Sequence, residues 1–402
     1  MSNRIFITGF GIITSVGKNA SENFDSLIHG RSGFGALEIL KTAHHHTLPA
    51  CEIKLHDSEL HSLAGIKSGL GFTRASTIGL LAAKEAIQSA GLTDHEIQSS
   101  GLISATSAGG IRELERYYYE LKDLNQYGAF EEFVDTGNPG EHTERLAEYL
   151  NIKKYIGTIS TACSSSANAI MLGAQLIKNK IVDRVICGGT EALSKFTING
   201  FNALMILDTQ HCRPFDAARK GLNLGEGAAY LVLESEETAI RASRKPFAEL
   251  LGYANANDAF HQTASSPDGM GAYQAMYGAI KSGSINPDQI DYINAHGTAT
   301  ENNDLSEGLA MQKLFDGKVP TFSSTKPYTG HTLAAAGSVE AAFCLMSMKH
   351  GFIFPNLNFK IPMEELNIQP EVTLQKGKNL KYVLSNSFGF GGNTSSLLFG
   401  AV

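Results

Sequence analysis

Three short segments hold the residues whose types and spacing could do chemistry: Thr161-Ala162-Cys163-Ser164-Ser165-Ser166, Asn294-Ala295-His296-Gly297-Thr298-Ala299-Thr300, and Ser324-Thr325-Lys326-Pro327-Tyr328-Thr329-Gly330-His331. Each sets a reactive side chain among Gly, Ala, Ser and Thr, where backbone can approach a substrate closely. Together they supply one sulfur nucleophile and two imidazoles from distant parts of the chain. That is the equipment of thioester chemistry, in which sulfur carries an acyl group and histidines meet a developing oxyanion.

Each residue also has a bland reading. Small buried cysteines are common packing residues, and this reading suits Cys187 and Cys344, which sit among apolar neighbours. Cys163 instead follows an apolar strand and precedes a helix start rich in Ser. There the helix dipole and free N–H groups favour thiolate and can hold a tetrahedral oxyanion. A lone histidine beside an apolar stretch is usually structural. Two histidines at strand-to-loop junctions in Gly/Thr settings, linked by Lys326, shift that balance. Lys326 is a Schiff-base nucleophile, an electrostatic partner or a surface residue. Its place between a buried strand and a Gly-His turn disfavours the surface, and a buried lysine needs a carboxylate, for which Asp304 and Glu307 are the natural candidates. His44-His45-His46 reads as a solvated loop rather than a metal site. The run Ser385–Asn393 resembles a phosphate loop but lacks its lysine, so a mobile, apolar-tipped loop suits it better.

The elements that must position these groups alternate along the chain, which favours an α/β architecture with buried strands. Strands are expected at Arg4–Ile13, Gly101–Ala105, Tyr155–Thr161, Arg184–Gly188, Ala228–Leu233 and Ile290–Ala295. Helices are expected at Ser76–Ser89, Glu141–Leu150, Ser165–Lys178, Tyr273–Lys281 and Ser338–Lys349. An internal echo aligns Ala86–Ile97 on Ala279–Ile290 without a gap, each ending a helix and leading into a strand. A second pairs the Cys163 segment with the Lys326–His331 segment: strand, small-residue loop, Ala-rich helix. Two similar halves follow, 1–244 and 245–402, split near Ser243–Pro246.

The totals set outer bounds. A chain of 402 residues, 43% hydrophobic, can bury a large core. With 33 basic against 40 acidic residues it shows no basic excess of the kind a nucleic-acid binder carries. Five scattered cysteines without CxxC spacing argue against a disulfide framework or zinc site and for a reducing, cytoplasmic setting. No run is apolar enough to insert in a membrane.

At the three reactive segments the chain resembles the β-ketoacyl-[acyl carrier protein] synthases of the thiolase superfamily, nearest the KAS I/II-like condensing enzymes. The resemblance runs from Phe6-Ile7-Thr8-Gly9 to the C-terminus through Arg213-Pro214-Phe215-Asp216, Gly225-Glu226-Gly227, Asp258-Ala259-Phe260-His261 and the Phe388–Gly392 loop. It implies a five-layered αβαβα fold from two duplicated halves. It implies Cys163 as the acyl-accepting nucleophile and His296 and His331 as neutral donors to the malonyl thioester oxygen. Lys326, paired with Glu307, would hold the electrostatics. The N–H groups of Cys163 and Phe390 would form the oxyanion hole, with Phe390 gating acyl entry. Thr298, Thr300 and Thr263 would meet the phosphopantetheine arm. The reaction implied is decarboxylating Claisen condensation to a 3-oxoacyl-carrier protein, with no cofactor beyond the carrier's phosphopantetheine. The implied partners are acyl carrier protein and a second subunit, in a homodimer or a heterodimer with a homologous chain-length subunit.

The chain departs from the common pattern at Ser166, where glycine is frequent, at the order Gly392-Asn393-Thr394, and at Gly137-Asn138-Pro139-Gly140-Glu141, which differs from housekeeping synthases and looks more like enzymes of specialised acyl or polyene pathways; the implied setting is fatty acid or specialised polyene or polyketide biosynthesis. Ala108 matches a position where a bulkier residue limits the acyl pocket, so long or rigid chains are expected to fit. Two rival readings remain. A thiolase-like acyltransferase acting on coenzyme A esters would use a second cysteine near the C-terminal glycine loop, and none follows Cys344. An inactive chain-length partner would typically lack the nucleophilic cysteine, which this chain keeps.

Overall fold

In the computed structural model, residues 4–402 are described except 68, 69, 124 and 126. Among these residues the main sheet has ten strands: β1 Ile5–Thr14, β2 Gly101–Ala105, β3 Tyr155–Ile159, β4 Arg184–Glu191, β5 Gly227–Ser235, β6 Ala248–Asn257, β7 Tyr292–Asn294, β8 Thr321–Ser323, β9 Tyr382–Gly389 and β10 Asn393–Gly400. Their spatial order is β8-β7-β9-β10-β6-β1-β5-β4-β2-β3. The first five strands lie on one side and the last five on the other. Numbered within its own set, each side reads 3-2-4-5-1 outward to centre. The parallel and antiparallel pairings repeat as well: the two outer pairings of each side are parallel and the inner ones antiparallel. The two sets meet where β1 pairs with β6 through Phe6↔Glu249 and Ile7↔Ala248.

Five helices build the layers: α1 Arg74–Ala90, α2 Ser165–Lys178, α3 Met270–Ser282, α4 Glu301–Leu314 and α5 Ala336–His350. Helix α1 packs outside β1 and β5, and α3 packs outside β6 and β10, while α2 and α5 pack on each other between the two strand sets. Each α1 or α3 interface has its own apolar core, one holding Ile78, Ala86 and Tyr230, the other Met276, Ala279 and Leu398. The central core gathers Ile170, Met171, Phe343 and Leu345 from α2 and α5 against the inner faces of both strand sets. The expected helix Ser165–Lys178 and strand Gly101–Ala105 have those same bounds, and the other expected elements differ by a few residues at their ends.

The echo between Ala86 and Ala279 has a spatial meaning. A Cβ on Gly9 of β1 would fall 2.5 Å from the Ala86 carbonyl, and one on Gly252 of β6 would fall 2.2 Å from the Ala279 carbonyl. Each outer helix therefore rests its backbone on a strand glycine at an equivalent place. Only a residue without a side chain allows so close an approach.

Candidate active site

Cys163 lies four residues beyond the end of β3 and two before the first residue of α2, just after Ala162, whose φ of 51° puts an alanine in the left-handed region. Such a turn lifts the following residue out of the strand direction. Ser164 and Ser165 fasten it: the Ser164 hydroxyl donates to the Thr161 carbonyl at 2.7 Å, and the Thr161 N–H donates to Ser165 Oγ at 2.8 Å. The Phe390 backbone N–H eases the Cys163 thiol's pKa downward, and Gly389 lies directly against the Cys163 amide. The two amides expected to hold an oxyanion are thus side by side.

His296 follows β7, and its turn is held by two buried carboxylates. Glu307 of α4 accepts from the N–H groups of His296 and Gly297, each at 2.9 Å, and from Asn386 Nδ2 at 3.0 Å. Asp304 accepts from the N–H groups of Phe215 at 2.7 Å and Thr298 at 2.9 Å. Burial pushes the Glu307 carboxyl up to about 7 against those donors. His331 is placed by an isolated parallel bridge to Leu224: its N–H donates to the Asn223 carbonyl at 2.8 Å, and Gly225 N–H donates to its carbonyl at 3.0 Å. Gly330 enters this bridge at φ 67° with ψ near extended, where a Cβ would sit 2.8 Å from the Leu224 carbonyl. Glycine is required there.

The two imidazoles meet edge to face, with centroids 5.3 Å apart and planes at 85°. Each is 2% exposed. Lys326, a donor only, directs its ammonium at His296 Nδ1 over 3.1 Å and also at the His296 carbonyl. The Leu333 N–H donates to His331 Nδ1 at 3.3 Å. Both Nδ1 atoms accept, so both rings carry their proton on Nε2. Burial, reinforced by the Lys326 charge, holds both well below the ordinary histidine value, so they are neutral at physiological pH.

These groups open on one cavity of about 350 Å³. Cys163, His296, His331, Thr298, Thr300, Thr263 and Phe390 line it. Phe388 stands beside His296 with centroids 5.7 Å apart. The Phe390 ring stacks on Phe201 at 5.6 Å and 18°, and both line the cavity.

Three expectations need correction. Glu307 is not the partner of Lys326: it is spent on the His296–Gly297 amides, and Glu340 of α5 takes the ammonium instead. Asp304 is likewise committed to backbone N–H groups. A sequence signal for Glu340 existed, since it is the one acid in a helix whose central stretch, Ala341–Met346, is wholly apolar. Ala108 does not line the cavity. It is half-buried, and the buried Glu191 carboxylate stands between its turn and that of Ala334. Cys163 is not a ready thiolate. Burial pushes its thiol up to about 11, outweighing the Lys326 charge and the Phe390 N–H. Sequence reasoning also passed over Phe201, Met205, Ile206 and Leu222, which add apolar lining to the same cavity. They lie on a helix end and loop with no periodicity that marks them.

Residues 2–239 match the beta-ketoacyl synthase N-terminal domain and residues 247–360 match the beta-ketoacyl synthase C-terminal domain. The chain belongs to the beta-ketoacyl synthase family. It is 31% identical over 408 aligned residues to a 3-oxoacyl-[acyl-carrier-protein] synthase 2 of Staphylococcus aureus strain N315, covering 99% of this chain and 98% of that one. Its structure is similar to that of the ishigamide ketosynthase/chain length factor, with TM-score 0.90, 28% identity and 99% of each chain covered. It is also similar to a ketosynthase in complex with its chain length factor from Xenorhabdus doucetiae, with TM-score 0.85, 29% identity, and 99% and 98% covered.

Proposed function

We propose that this protein is a 3-oxoacyl-[acyl carrier protein] synthase that performs decarboxylating Claisen condensation. One observation carries the reading: a thiol and two neutral Nε2–H imidazoles face the same buried cavity. In the first step the Cys163 sulfur attacks the thioester of an acyl-carrier protein, and its proton passes to the departing carrier thiol. The Cys163 and Phe390 amides hold the oxyanion of the tetrahedral intermediate. In the second step the malonyl thioester oxygen accepts from the Nε2–H groups of His296 and His331. Loss of carbon dioxide leaves the electron pair as an enolate on that oxygen. The enolate carbon then attacks the Cys163 thioester, forms the new C–C bond and releases the Cys163 sulfur, which takes up a proton. No protein base need ionise, which suits imidazoles held neutral by burial. Lys326 holds the His296 tautomer, and Thr298, Thr300 and Thr263 sit where a phosphopantetheine arm would descend.

A partner subunit fits the exposed side of β3, the last strand of the sheet, where Ile156 is 44% exposed and backbone groups lack a neighbouring strand. The pairing of related ketosynthases with chain length factors supports a homologous chain-length subunit there, and a specialised polyketide or polyene pathway. Among the described residues no helix is long and apolar enough to cross a membrane, and a cytoplasmic setting fits the free cysteines.

Intact-mass measurement after incubation with acyl-carrier protein tests the reading. Wild type gains the mass of one acyl group and Cys163→Ala gains none; an acylated Cys163→Ala variant refutes the assignment. Purification with and without a co-expressed chain-length homologue then separates homodimer from heterodimer.

A further inference from the structure

Glu191 ends β4 in the first strand set, yet its carboxylate is bonded to both halves of the chain. It is 1% exposed. One oxygen accepts from Thr106 Oγ1 at 3.0 Å and from Ala108 N–H at 3.1 Å. The other accepts from Ser107 N–H at 2.8 Å, from the Ser107 hydroxyl, and from Ala334 N–H at 3.3 Å. The first four bonds fix the turn that follows β2. The fifth reaches the turn three residues beyond His331.

That second turn is strained. Leu333 has φ of 49°, a left-handed conformation that a leucine keeps only when its surroundings impose it. The strain has a product: it aims the Leu333 N–H at Nδ1 of His331. The next amide along, that of Ala334, is the one Glu191 grips. Two consecutive N–H groups thus point at two acceptors, and loss of one acceptor frees the turn that presents the other.

We propose that Glu191 is a positioning residue: by holding the Ala334 amide it keeps the Leu333 amide on Nδ1 of His331, so that His331 presents Nε2–H to the cavity. Because the same carboxylate binds Thr106, Ser107 and Ala108, it couples the His331 turn to the turn after β2. The role rests on the ketosynthase reading above, with His331 serving the malonyl step and Cys163 the acyl step.

The two half-reactions separate this role from a merely structural one. Carbon dioxide release from malonyl-carrier protein and acylation of Cys163 by acyl-carrier protein are measured in wild type, Glu191→Gln and Glu191→Asp, with thermal melting alongside. Glu191→Gln is expected to lower kcat for malonyl decarboxylation on the order of 10²-fold, the cost of an ångström-scale misplacement, with KM little changed and Cys163 acylation preserved. Glu191→Asp keeps the charge but withdraws it by one methylene, and it is read in the same way if the Gln variant is not recovered folded. Unchanged decarboxylation overturns the proposal, as does an equal fall in both half-reactions that tracks melting temperature. A wild-type enzyme that performs neither half-reaction overturns the ketosynthase reading itself, and the role of Glu191 falls with it.

Discussion

The Lys326 ammonium sits 3.1 Å from Nδ1 of His296 and shares its remaining donors between the His296 carbonyl and Glu340. One side chain thereby fixes a tautomer, lowers the proton affinity of two imidazoles and opposes the burial cost of the thiol.

Removing it leaves Glu340 buried without a cation. Lys326→Met is expected to destabilise the fold by about 3–5 kcal/mol, the cost of breaking a buried pair. The Glu340 carboxyl, already pushed up to about 7 by burial, then rises further. A carboxyl whose folded value is raised adds stability below its unfolded value of about 4.5 and loses it as pH climbs. The variant should therefore recover stability relative to wild type on acidification, and Lys326→Met combined with Glu340→Leu should be more stable than Lys326→Met alone. Urea unfolding at two pH values checks both; a pH-independent difference refutes the account.

The imidazoles give a direct spectroscopic check. Their folded values lie well below the ordinary 6.5, so the ring signals of His296 and His331 should stay at neutral-imidazole positions between about pH 8 and pH 6. The sign for stability follows: the unfolded chain gains protons at these rings below about pH 6.5 while the folded chain does not, so both groups oppose folding as pH falls. Titration of either signal near 6.5 contradicts the geometry.

The thiol predicts slow alkylation. With Cys163 pushed up to about 11, the iodoacetamide rate in the free enzyme should climb about tenfold per pH unit from about pH 8 to pH 10 without levelling near the usual cysteine value of about 8.5. Mass spectrometry of the Cys163 peptide reads it. A plateau below about pH 8 means a resident thiolate.

The strand glycines predict matched losses. Gly9→Ala and Gly252→Ala each drive a methyl into a helix carbonyl, and overpacking of this kind costs about 1–3 kcal/mol. Denaturant midpoints should fall for both, with Cys163 acylation of the folded fraction retained. An unchanged midpoint for either would show that its helix can step back freely.

Much of this architecture was legible from residue patterns because it follows from them directly. The gapless match of Ala86 to Ala279 marks two helices that press on two glycines, a constraint of size that a sequence records faithfully. Small residues around Cys163, His296 and His331 mark tight turns for the same reason. What stayed hidden depends on side-chain reach through space. Glu307 and Glu340 are both acids in range of the site along the chain, and only the fold decides which meets backbone and which meets Lys326. Ala108 lies beside Glu191, whose five bonds tie two turns that no spacing rule connects. The state of the Cys163 thiol turns on how completely it is buried, which outweighs the helix start that its neighbours advertise.

The seam between β1 and β6 is joined by two residue pairs, yet the sulfur comes from one side of it and both imidazoles from the other. Neither repeat holds a complete reaction centre. A protease nick in the connector between Arg241 and Ala248 would leave two fragments, each inert by itself. Turnover should return on mixing as their interdigitated helices α2 and α5 find one another, making catalysis a direct reporter of reassembly.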